Sequence, residues 1–166
     1  MCVAVRTTTA QVLAATNFVK YYSYTGALSV AGSVGPMTTA GTTQTFVYSL
    51  TGVDPACASG AGTAANSCGI HIHSGTTCTD NALGHYYTGS VTSDPWTTIA
   101  YTSSGSATSG VLSVDTGASA MDVSGRSMII HAYDGSRIAC AILTSSTQVT
   151  LTASNFVPYH SHTLAT

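Results

Sequence analysis

His71 and His73 stand two residues apart in the run Gly69-Ile70-His71-Ile72-His73. In a β-strand, side chains two positions apart project from one face, so this run would present two imidazoles side by side. Alone, such a pair can chelate many metals. Two further histidines narrow the chemistry: His85, after Leu83-Gly84, and His131, within Ser127-Met128-Ile129-Ile130-His131-Ala132. No Cys-x-x-Cys pair and no acidic cluster lies near them. Four imidazoles without thiolates or carboxylates suit a redox-capable copper site, because tetragonal nitrogen coordination is Cu(II) geometry.

Such a site needs a rigid frame, and the sequence supplies strands. Leu28 to Val34 alternates and meets a turn signal at Gly35-Pro36; Thr43 to Leu50 alternates again. Val53 to Ser67 reads as a loop rich in Ala and Gly, and it leads into the His71/His73 strand. Further strands are expected at Trp96 to Tyr101, Val111 to Val114, Ser127 to Ala132 and Arg137 to Leu143. Turns are expected at Ser103 to Ser109 and Asp134-Gly135, and a loop over Thr116 to Ser124. Many short strands at close spacing imply an all-β antiparallel sandwich or barrel with little or no helix.

Composition agrees. Charged residues make up only 6 % of 166 residues, against roughly a quarter in ordinary domains, so hydroxyls must cover the surface. A net charge of −2 leaves no nucleic-acid footprint and no polybasic membrane patch. No apolar run reaches the roughly 18 to 20 residues of a membrane-spanning helix. Five cysteines in a chain so poor in lysine fit an oxidising, extracellular setting, secreted or at the cell surface.

The two ends resemble each other. A shift of 138 positions sets Cys2 on Cys140 and holds without a gap, with Asn17-Phe18-Val19 on Asn155-Phe156-Val157 and Tyr21 on Tyr159. Such self-similarity is the sign of a tandem array. On this reading residues 1–24 are the tail of a preceding repeat with a linker or first strand. Residues 25–150 are the functional unit, and residues 151–166 begin the next one. Cys2 is then the odd cysteine. His160 and His162 fall on Tyr22 and Tyr24, which are not ligands, so that pair is read as linker. For the remaining four cysteines, sequence alone leaves three pairings open.

The blocks Gly69-Ile70-His71-Ile72-His73, Cys78, Gly84-His85-Tyr86, Gly125-Arg126-Ser127-Met128-Ile129-Ile130-His131 and Gly135-Ser136-Arg137-Ile138-Ala139-Cys140 closely resemble, in order and chemistry, the copper/zinc superoxide dismutases. The likeness covers about Leu28 to Leu143. It implies a Greek-key β-sandwich or barrel with His71, His73, His85 and His131 as ligands of one copper ion. It also implies Cys78–Cys140 and Cys57–Cys68 disulfides, and Arg137 as an anion-guiding residue that acts with His85 in catalysis. The substrate would be superoxide, dismutated to dioxygen and hydrogen peroxide. Thr88 to Pro95 lacks the histidines of the zinc enzymes and holds only Asp94. Ala132 to Ser136 replaces a long charged loop. Both departures point to copper without zinc, and with the repeat they make copper-only superoxide dismutase repeat proteins the nearest likeness. The shortened loop should leave the copper more open to solvent. Without zinc, His85 needs another acceptor for its second nitrogen, and Asp94 is the candidate; a turn role before Pro95 competes.

Three functions compete on these residues. One is an extracellular copper-dependent dismutase module, with superoxide as substrate and neighbouring repeats of its parent chain as partners. The others are a copper-buffering module and a structural cell-surface repeat.

Overall fold

The computed structural model describes the backbone of residues 4–154 and the side chains of residues 12–147. The chain divides into two compact units, Val12–Ser146 and Met1–Gln11 with Thr147–Thr166. In the smaller unit the described backbone consists of lengths of β1 (Ala4–Ala15) and β9 (Thr144–Ser154). Cys2, Tyr159, His160 and His162 lie outside the described residues.

The larger unit is a two-sheet antiparallel sandwich. Its further strands are β2 (Val19–Lys20), β3 (Ala31–Ala40), β4 (Thr43–Thr51), β5 (Ile70–His73), β6 (Ala107–Asp115), β7 (Ser127–His131) and β8 (Arg137–Ile142). One sheet has the order β6-β4-β3-β1-β9 and the other β2-β8-β7-β5. Between them, Val34, Met37, Phe46, Leu50 and Val114 meet Ile70, Ile72, Met128, Ile130 and Ile138 in one core cluster.

Period-two patterning explains the first sheet. Along β4, buried Gln44, Phe46, Tyr48 and Leu50 alternate with more exposed Thr and Ser. The second sheet differs. All of β5 and β7 is buried, because a second apolar cluster of Tyr21, Ala82, Ile129 and Cys140 covers the face turned away from the core. Cys78 joins this cluster and is disulfide-bonded to Cys140. The segment from Ser74 to Tyr87 is thereby stapled over β7 and β8. A second disulfide, Cys57–Cys68, ties the short 3-10 helix Pro55–Ser59 to the start of β5.

Several local expectations change. The strand expected to end at Gly35-Pro36 instead runs through both residues as β3. Its pairing with β4 slips between Val34 and Met37, where a proline without an N–H interrupts the ladder harmlessly. Trp96 to Tyr101 is not a strand and makes one bridge, Gly69 to Ala100. Its aromatics are buried anchors: Trp96 Nε1 donates to Tyr86 O at 2.9 Å, and Tyr101 Oη to His131 O at 2.9 Å. The turn expected over Ser103 to Ser109 is confined to a tight bend at Gly105, and β6 is nine residues long. The Thr116–Ser124 loop holds one helical turn, Ala120–Val123, closed by a reciprocal Ser119–Asp122 capping box. Leu13, Ala15 and Tyr21, ahead of the expected unit boundary at residue 25, are buried.

Candidate metal centre

The strand pattern places the histidines. Ile70 and Ile72 face the core, so His71 and His73 take the opposite face of β5. On neighbouring β7, where Ile70 pairs with Ile130, the same alternation puts Ser127, Ile129 and His131 on that face too. Gly69 makes room for the first ring, since a Cβ there would sit 2.3 Å from His71 Cε1. His85 lies on no named strand. The chain returns along the edge of β5, with Ser74 N donating to Gly84 O and Tyr86 N to Ile72 O, both within 2.9 Å. That return sets His85 opposite His73 as an isolated bridge.

One ligand atom from each of His71, His73, His85 and His131 lies within 4.8 Å of the other three. The ring centroids are 4.5 to 6.5 Å apart. His71, His73 and His131 are buried, and the His85 side chain is only 8 % exposed. The expected opening to solvent is therefore not present at the rings: the stapled Ser74–Tyr87 segment meets His73 through Leu83 O, Ile99 O and Trp96 meet His71, and Gly135 O meets His131.

Hydrogen bonding identifies which nitrogen of each ring is available. His71 Nε2 donates to Ile99 O at 2.7 Å, His73 Nδ1 to Leu83 O at 3.0 Å, and His131 Nδ1 to Gly135 O at 2.9 Å. His85 Nδ1 contacts Asp94 Oδ2 at 2.6 Å. Four oxygen acceptors fix the hydrogens on those nitrogens. The remaining nitrogens, Nδ1 of His71 and Nε2 of the other three, carry lone pairs. His71 Nδ1 is buried with no hydrogen-bond partner. Nε2 of His73 and of His131 are 3.4 Å apart with neither holding a proton to share. Converging lone pairs in a buried pocket fit a metal cation of the kind that takes imidazole ligands.

Electrostatics points the same way. Burial, then the neighbouring His131 and His85, hold the His71 imidazole down to about 2 from its ordinary 6.5. Burial holds His73 at about 3 and His131 at about 4, with the Arg137 cation contributing to both. These three rings stay neutral and basic toward a metal across the physiological range.

Asp94 makes contacts on both sides. Oδ2 takes the His85 ring, while Oδ1 accepts from Trp96 N at 2.9 Å in the turn after Pro95. Arg137 follows His131 after the short loop, and the two are register partners. Its Nη1 donates to Tyr21 Oη at 2.8 Å and to Asn81 Oδ1 at 3.1 Å, and its Nη2 donates to Leu83 O at 2.6 Å. The Leu83 carbonyl thus serves both His73 and Arg137. Leu83 adopts φ +61, a left-handed conformation unusual for leucine, and Asn81 Oδ1 holds its N–H at 2.9 Å. Sequence reading did not single out Gly69, Tyr21, Asn81 or Leu83. Only the Asn81-Ala82-Leu83-Gly84 turn composition and the glycine ahead of the histidine pair carry a local signal.

Fold and centre together define an antiparallel β-sandwich with a four-imidazole cluster able to hold a metal ion. No family model and no curated protein matches the chain. Among solved structures it is similar to two point mutants of superoxide dismutase 5 from Candida albicans. One is 17 % identical over 80 % of this chain and 89 % of that chain, at a TM-score of 0.45. The other is 16 % identical over 92 % and 99 %, at 0.46.

Proposed function

We propose that this chain binds one copper ion, without zinc, through His71, His73, His85 and His131, and dismutates superoxide to dioxygen and hydrogen peroxide. The observation that carries the reading is the buried, unpartnered Nδ1 of His71, converging with three further imidazole nitrogens whose opposite nitrogens are all hydrogen-bonded. Copper bound there would supply the one-electron couple that oxidises one superoxide and reduces the next.

The chain's own residues would do the rest. Asp94 keeps the hydrogen of His85 on Nδ1, so that Nε2 faces the centre and can accept and return a proton. Arg137, whose guanidinium stays charged at any physiological pH, attracts and orients the anion. Since the chain has a net charge of −2 and only four lysines and arginines, this local cation provides much of the attraction. The Cys78–Cys140 disulfide holds the covering segment that keeps the rings dry. Two disulfides support work outside the cell, and the 138-residue register supports a place in a tandem chain with neighbouring repeats.

Metal analysis with an EPR spectrum of the copper-loaded protein tests this. The expected result is one copper, no zinc, a nitrogen-rich tetragonal signal and superoxide consumption above that of free copper. Copper binding without such activity, unchanged by Arg137→Ala, would favour a buffering module. Failure to bind copper at micromolar levels would favour a structural repeat.

A further inference from the structure

Arg137 carries five N–H donors, and the protein engages three of them. Both Nη1 hydrogens are taken, by Tyr21 Oη and Asn81 Oδ1, and one Nη2 hydrogen goes to Leu83 O. All three acceptors are uncharged, so the side chain is fixed in place without its charge being cancelled. Nε–H and one Nη2–H remain, the number a small bidentate oxyanion takes.

Tyr21 is built for this position. It is 5 % exposed, packs with Ala82, Ile129 and Cys140, and is tied to β8 through Tyr21 N donating to Ile138 O at 3.1 Å. Its hydroxyl oxygen also accepts from Ala82 N at 3.1 Å, which joins it to the segment that carries Asn81 and Leu83. Beside Arg137, a groove of about 700 Å³ lined in part by Tyr21, Asn81, Ser136 and the carboxylate-bearing Asp134 opens the guanidinium to solvent.

We propose that Tyr21 and Asn81 are positioning residues that clamp Arg137 as an uncancelled cation, leaving two of its N–H groups for a small oxyanion at the imidazole cluster. This rests on the dismutase reading above. The held cation lies beside the centre: the Leu83 carbonyl accepts from both Arg137 Nη2 and His73 Nδ1, and Arg137 is the register partner of His131.

The test uses Tyr21→Phe, which removes only the hydroxyl and keeps the buried ring, and Asn81→Asp, which keeps an acceptor for Leu83 N but places a carboxylate on the cation. In the copper-loaded protein, azide affinity should fall about 3- to 10-fold in Tyr21→Phe and further in Asn81→Asp, while the EPR parameters of the azide-free centre stay those of wild type. In the metal-free protein, nitrogen NMR of the guanidinium should show faster rotation and hydrogen exchange at Arg137 in Tyr21→Phe, resolved against only Arg6 and Arg126. Wild-type azide affinity together with wild-type Arg137 resonances in Tyr21→Phe would overturn the clamp. If wild-type copper protein neither binds azide nor consumes superoxide, the dismutase reading fails and the clamp loses its purpose. The metal-free NMR still decides whether Tyr21 holds Arg137.

Discussion

The two sheets use the same strand chemistry to opposite ends. In β4 and β6 buried and exposed residues alternate, and the outward face carries hydroxyls around the exposed Val47 and Val111, with Thr45 Oγ1 and Ser113 Oγ 2.9 Å apart. In β5 and β7 both faces are buried, and the outward one carries the imidazoles. A sheet face open to water could hold histidines, but they would titrate near 6.5 and keep no special geometry. Covering one face with a stapled loop converts the same alternation into a buried pocket in which His71, His73 and His131 stay neutral. The difference between the sheets is therefore made by the covering segment and its disulfide rather than by the strands.

The comparison is most exposed to acid. His71, His73 and His131 have proton affinities lowered by burial to about 2, 3 and 4, while the unfolded chain protonates them at about 6.5. The unfolded state then binds more protons as pH falls, so folded stability is full above pH 6.5 and declines below it. At pH 5 each ring should cost the metal-free protein about 2 kcal/mol, and three together approach a domain's whole stability. Urea unfolding at pH 7.5 and pH 5 measures this. A flat profile would mean that the pocket is wet and the contrast between the sheets false.

A matched substitution on the covered face is the next test. Ile129 is fully buried between His71 in the register of β5 and Cys140 in that of β8. Ile129→Thr would lose apolar contact and bury a hydroxyl on a face where Ser127 Oγ already lacks a partner. The expected loss is about 3 kcal/mol in denaturant unfolding, with copper affinity falling as the rings loosen. A loss below about 0.5 kcal/mol would show that the covering cluster is not packed.

Asp94→Ala acts on the pocket without entering its core. It removes the acceptor on His85 Nδ1 and frees that ring to rotate or change tautomer. Copper affinity should weaken about 10- to 100-fold, read by competition with a chelator of known affinity, with a smaller effect on stability. Affinity equal to wild type would leave Asp94 only its turn role at Trp96 N.

What was legible in the sequence follows the same division. Alternation in Thr43 to Leu50 gave the exposed sheet directly, since each residue there answers to water or core alone. The spacing of His71 and His73 put both on one face for the same reason. The covering layer was far less legible. Tyr21 sits 116 positions before the arginine it touches, and nothing in its neighbourhood marks it. Leu83 acts through a backbone carbonyl, which side-chain identity does not report. Trp96 to Tyr101 looked like a strand because buried aromatic anchors and strand residues share the same residue types.

The smallest expected effect belongs to the open sheet. Val111 is 63 % exposed and pairs across the ladder with Val47, itself 42 % exposed. Val111→Thr keeps the β-branch that suits a strand and removes little buried apolar surface. The new hydroxyl faces water beside Ser109 and Ser113, so it leaves no polar group stranded. Unfolding free energy should change by no more than about 0.5 kcal/mol, and copper affinity and Arg137-dependent anion binding should be untouched. The same valine-like-to-threonine chemistry is thus expected to be near neutral on one outward face and severe at Ile129 on the other. A large loss at Val111 would require a partner seated on the hydroxyl face, and unfolding as a function of protein concentration would reveal a second copy there.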